Sequence, residues 1–196
     1  MKKLSTTLVI SALFAAGSAH AALIQFENYA PVGSLTNVGT YTEAGFTFTA
    51  VPNNAAVFDS SFSGLFPGDS TSFLGFAGTD YSGGAALITM SGTAPFNLNS
   101  LLVGGFNYAG GTGTSTVTIV GNIQGGGTES VVLQNLTGAT LETINWTNLV
   151  NVQFSGSSTT AMDNVNVSAV PEPGTYGMML GGLGLIGFMV SRKRSA

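Results

Sequence analysis

Residues 150–155 read VNVQFS: Val150, Val152 and Phe154 alternate with Asn151, Gln153 and Ser155. Successive side chains of an extended chain point to opposite faces, so this stretch has one apolar and one polar face and reads as a strand of a half-buried sheet. The same alternation recurs in TVTI, residues 116–119, where Val117 and Ile119 oppose Thr116 and Thr118. Outward from these two stretches, residues 22–169 are short β-type runs separated by Gly, Asn, Ser and Pro, with no 3.6-residue period sustained long enough for a helix. The expected strands are Leu23–Phe26, Gly45–Ala50, Ala55–Phe58, Phe73–Phe76, Ala85–Met90, Asn97–Phe106, Ser115–Gly121, Ser130–Leu136, Glu142–Trp146, Val150–Phe154 and Met162–Val167. Turn material at this spacing predicts an all-β domain, a sandwich or barrel of antiparallel strands. The runs Gly104-Gly105, Gly110-Gly111 and Gly125-Gly126-Gly127 have no Lys after them and open no helix, so they are expected to be hairpin turns rather than phosphate loops.

Charge narrows the chemistry. The chain has 196 residues, 28 Gly, no Cys, one His and five Lys and Arg, and all five cations sit at its ends: Lys2, Lys3, Arg192, Lys193 and Arg194. Between them lie Glu27, Glu43, Asp59, Asp69, Asp80, Glu129, Glu142 and Asp163 with no Lys or Arg to meet them. Such a body repels a phosphate backbone, which excludes nucleic acid as a partner. A Ser or Cys hydrolase needs a basic partner for its nucleophile, and a zinc site needs His or Cys, neither of which residues 22–169 possess. Carboxylate-pair catalysis, an oxygen-liganded metal, or no chemistry at all remain.

Both ends read as targeting segments. Residues 1–21 carry Lys2 and Lys3, an apolar stretch from Leu8 to Ala16, and Ala19 and Ala21 around His20, the A-x-A pattern of a secretory signal peptide cut before Ala22. At the other end an apolar, glycine-laced run from Tyr176 to Val190 precedes the basic tail. As a helix it would measure about 23 Å at ~1.5 Å per residue, a marginal transmembrane segment whose cationic end favours the cytoplasm.

Pro171-Glu172-Pro173, then that hydrophobic run, then Arg192-Lys193-Arg194, in this order, resembles the PEP-CTERM sorting signal of exported Gram-negative proteins. The resemblance implies an exosortase as partner, insertion in the inner membrane before processing, and removal of the tail near the triplet. An uncleaved C-terminal anchor is the alternative. The expected organisation is a signal peptide over 1–21, a β-sandwich ectodomain over 22–169, and a sorting signal with transmembrane segment and basic tail over 170–196.

In AMDNVNVSAV, residues 161–170, Asp163 shares parity with Val165 and Val167, so it faces the core or its rim if the valines do. A buried carboxylate needs backbone amides, a proton or a metal, since no side-chain cation is at hand. This stretch and IQFEN, residues 24–28, resemble a recurrent PEP-CTERM ectodomain, and the body is similar to jelly-roll carbohydrate-binding modules. In those modules acids of the first and last strands hold a structural calcium, which implies Glu27 and Asp163 as ligands of a structural Ca2+ here. Two solvated strand-end acids are the plainer alternative. Asp59, Asp69 and Asp80 read as loop acids whose spacing is not that of an EF-hand, with ligation of a cation as the lesser alternative. Trp146, Tyr81 and Tyr108 could stack on sugars but fit core packing better.

The expected function is a non-enzymatic exported surface or extracellular-matrix protein, sorted by an exosortase and associated with exopolysaccharide or biofilm. The alternative is a carbohydrate-binding module with a selective glycan pocket. A two-carboxylate glycosidase is disfavoured because no motif nominates a pair of acids.

Overall fold

The computed structural model describes residues 21–27, 29–51, 55–76, 87–107, 113–170, 177 and 179–187. Residues 1–20 with Ala19, the triplet Pro171, Glu172 and Pro173, the tail Arg192, Lys193 and Arg194, and Asp80, Tyr81 and Tyr108 lie outside the described residues. Ala21–Ala169 forms a compact unit of its own. Residues 179–187 are helical, and among the described residues no helix is long and apolar enough to cross a membrane.

Among the described residues, eleven strands make one hydrogen-bonded antiparallel system: β1 (Ala21–Ile24), β2 (Leu35–Val38), β3 (Thr40–Glu43), β4 (Phe46–Val51), β5 (Ala55–Phe58), β6 (Phe73–Phe76), β7 (Leu87–Gly105), β8 (Thr114–Ile123), β9 (Thr128–Thr137), β10 (Thr140–Gly156) and β11 (Thr160–Ala169), with a 3-10 turn at Ser60–Leu65. The long strands β7 and β10 pair along their length and change neighbours halfway. Near Leu87–Ser91, β7 takes β4, and the matching half of β10 takes β8 and then β9. Near Phe96–Gly105, β7 takes β11, which in turn carries β1 and β6, followed by β5 and β2. The β7–β10 ribbon thus runs through both layers of a sandwich, a common way for strands to turn a corner. Layer I is built on β11 and layer II on β4, β8 and β9.

The bend needs irregular backbone, and asparagine supplies it. The β7–β10 register shifts between Thr143 and Trp146, between Trp146 and Leu149, and between Leu149 and Asn151. Asn145 and Asn148 lie at these shifts with φ of 56° and 58°, a left-handed conformation that Asn tolerates better than other side chains. Expected strands that break at residues 91–96 and 147–149 are therefore single bulged strands. Val150, expected inside with Val152 and Phe154, sits in the last shift and is 39% exposed, while Leu149 takes the buried place. The short strands β2 and β3 were not expected from the pattern.

The inner faces of both layers meet in one core that includes Phe48, Ile88, Phe96, Leu98, Val152, Phe154, Val165 and Val167. Trp146 packs on its edge, as core packing rather than sugar stacking would have it. A second apolar cluster, Phe58, Phe66, Phe73 and Phe106 with Ala56 and Ala161, fills the outer side of layer I beneath the 3-10 turn. Phe58 and Phe73 stack with centroids 5.0 Å apart. Glycine allows this close layering. Gly104 and Gly105 are the end of β7 rather than a hairpin turn, and a Cβ on Gly104 would run into the carbonyl oxygen of Gly138. Gly125, Gly126 and Gly127 do form the β8–β9 turn, all at positive φ.

Candidate functional site

The candidate metal centre lies where the turn after β1, the segment before β6 and the middle of β11 meet. Met162 belongs to the main core and Ala161 to the second cluster, so by alternation Asp163 lies on the second-cluster side of β11. Asn164, at φ 49°, then resets the phase and returns Val165 to the main core. Asp163 is fully buried, as its parity suggested, but the reason is this bulge and the segment packed over it, not a shared face with Val165.

The Asp163 carboxylate meets Thr71, whose Oγ1 lies 2.8 Å from Asp163 Oδ2 and 2.6 Å from Asp69 Oδ1. A hydroxyl carries one proton and can donate to only one of these oxygens. The other contact requires a proton on a carboxyl group or a cation nearby. Asp69 Oδ2 and Asp163 Oδ1 are buried with no hydrogen-bond partner, which is costly for carboxylates. Burial pushes Asp163 up to about 8; the Thr71 hydroxyl and the Asn164 amide pull the other way, and the charges of Asp69 and Glu27 push it further up.

Glu27 reaches the same segment from β1. Its Oε1 accepts from the Ser72 amide and its Oε2 from the Ser72 hydroxyl, both at 3.1 Å. The turn that delivers it has Phe26 at φ 56°, an unfavourable conformation for a bulky side chain that costs about 1–2 kcal/mol. Glu43 holds that turn: its Oε2 accepts from the Phe26 amide at 3.0 Å and the Tyr41 hydroxyl at 2.6 Å, and its Oε1 from the Gln25 amide at 3.4 Å. Burial, with the hydrogen bond to Glu43 and its charge, raises the Tyr41 phenol and keeps it protonated. Gln25 Nε2 donates to Asn164 Oδ1 at 3.1 Å, which ties the turn to the bulge of β11.

Of the residues read from sequence as metal ligands, Glu27 and Asp163 reach one neighbourhood; Asp69, read as a loop acid with cation ligation only as the lesser alternative, and Thr71, which sequence reasoning passed over, join them. The donors are all oxygen, the set a hard cation such as Ca2+ takes. Among the described residues no three acidic, His or Cys side chains converge as a complete metal site, so a calcium would draw further ligands from backbone carbonyls or water. Asp59 has a different task. Its Oδ1 accepts from the Gly33 and Ser61 amides at 3.0 Å each and caps the 3-10 turn. Ala21, read as the last residue of the signal peptide, already pairs with Ser168, so the expected cut before Ala22 falls one residue inside β1.

Residues 169–194 match the PEP-CTERM protein-sorting motif. No curated protein matches the chain in sequence. Among solved structures, the chain is similar to TmCBM61 in complex with β-1,4-galactotriose, with 10% identity, TM-score 0.42, and coverage of 66% of this chain and 90% of that one. It is also similar to an F5/8 type C domain from Bacteroides fragilis, with 12% identity, TM-score 0.40, and coverage of 69% and 99%. An exo-β-agarase matches over 80% of this chain and 25% of its own, with 12% identity and TM-score 0.43.

Proposed function

We propose that this PEP-CTERM-domain protein is exported across the inner membrane of a Gram-negative bacterium, trimmed by an exosortase near Pro171–Pro173, and left in the envelope or extracellular matrix as a non-enzymatic, polysaccharide-associated protein. The observation that carries the reading is the position of the sorting motif: it begins at Ala169, the last residue of β11, so tail removal would leave the sandwich whole. The absence of Lys, Arg and His from residues 22–169 supports a structural role over a catalytic one.

A structural calcium belongs to this proposal, held by Asp69 and Asp163 with Glu27 beside them. Its support is the pair of buried carboxylate oxygens without a partner. Bound there, the cation would neutralise the carboxylates and pin the segment before β6 to β11. To test the sorting step, the double variant Pro171→Ala, Pro173→Ala would be followed by fractionation. The wild-type chain is expected to leave the membrane fraction with its tail removed, and the variant to stay there intact. Equal retention of the tail in both would overturn the reading.

A further inference from the structure

Among the described residues no segment packs over the outer face of layer II, and its strands are in register across it. One row runs Thr42, Thr47, Ser91, Asn151, Asn122 and Thr128 over β3, β4, β7, β10, β8 and β9, each residue paired with the next. Two residues along the strands a second row, from Thr40 to Ser130, carries Thr, Gln, Val and Ser side chains, and a third, from Val51 to Val132, mixes Val and Leu with Ser and Thr. None of these positions is buried. At ~4.8 Å between strands the first two rows are about 24 Å long and the third about 19 Å.

No residue of these rows is charged or aromatic. Two rows present hydroxyls and amides, groups that both donate and accept, and the third is largely apolar. A neutral sugar chain has the same division, with hydroxyl edges and C–H faces. An apolar partner would bury the polar rows unsatisfied, and a polyanion would find no cation to meet it. Protein–protein interfaces are enriched in aromatic residues, Met and Arg, none of which lies on these rows.

We propose that the outer face of layer II is the surface on which this protein holds polysaccharide, and that it takes an uncharged chain laid along the rows. This rests on the reading of an exported, polysaccharide-associated protein. The test uses the protein recovered from its own cells, with agarose beads and insoluble β-glucan as neutral probes and alginate as the anionic one. Retention on at least one neutral probe and not on alginate is expected, with an affinity loss of at least ten-fold in Thr89→Glu, Gln153→Glu and none in Thr143→Glu, Thr147→Glu on the other half of β10. Retention unchanged in the first double variant overturns the assignment of the face while leaving the functional reading in place. A chain that has lost its tail yet is held by neither neutral probe overturns the inference but not the sorting step. Oligomers in ultracentrifugation that the first double variant dissolves would also overturn it, since the face would then pair copies of the chain.

Discussion

The two layers of the sandwich treat their outer sides in opposite ways. Layer I is covered: Phe58, Phe66, Phe73 and Phe106 fill its outer side under the 3-10 turn, and the acidic residues Glu27, Asp69 and Asp163 gather at the same covering segment. The outer rows of layer II are uncharged and in register, and none of their residues is buried. Phenylalanine, glycine and buried carboxylates mark where a further segment lies on a sheet; Thr, Asn and Gln at alternate positions mark where none does. Substitutions should therefore be costly on the first side and nearly free on the second.

The sharpest break is at Gly104. A Cβ there meets the Gly138 carbonyl, backbone against backbone, so Gly104→Val should cost more than about 4 kcal/mol or abolish folding in urea titration. At Gly75 the Cβ would meet Phe58 Cε2 at 2.6 Å and Phe106 Cζ at 2.9 Å, rings that can shift, so Gly75→Ala should cost about 1–3 kcal/mol.

Next comes the metal. If calcium sits at Asp69 and Asp163, EDTA should lower Tm by about 5–10 °C relative to a calcium concentration about 100 times Kd. Asp163→Asn should remove that sensitivity, and elemental analysis should find calcium in the wild-type protein only. An identical Tm with and without EDTA, and no bound metal, would leave a buried protonated carboxyl as the explanation of the cluster.

Acid should act on the covered side through Asp59. The Gly33 and Ser61 amides lower its carboxyl from 3.8 to about 2, so the native state holds this proton less tightly than the unfolded chain. The stabilisation is present above about pH 4 and is lost as pH falls toward 2. Asp59→Asn should flatten the stability profile in that window, and an unchanged slope would remove Asp59 from the account. The smallest effect belongs to layer II, where Thr89→Lys should change stability by no more than about 0.5 kcal/mol.

The alternating runs were legible because each has one buried face: VNVQFS and TVTI lie in β10 and β8. The joins were not. Asn145 fell inside one expected strand and Asn148 in the gap before the next, yet the left-handed backbone at both bends a single strand without ending it, and TYTE is too short and polar to stand out as β3. The burial of Asp163 was legible, while its neighbours were not. Asp69 and Thr71 lie far from it in sequence, and only the packing of the segment before β6 over β11 brings them together. The rows of layer II depend on register, which no single strand carries.

The most direct test of the central claim is the intact mass of the protein from its native cells and culture fluid. The expected mass is that of a chain that starts at Ala22 and ends near Pro171–Pro173, with the sandwich of β1 to β11 essentially entire. A mass that still includes Arg192, Lys193 and Arg194 would contradict it.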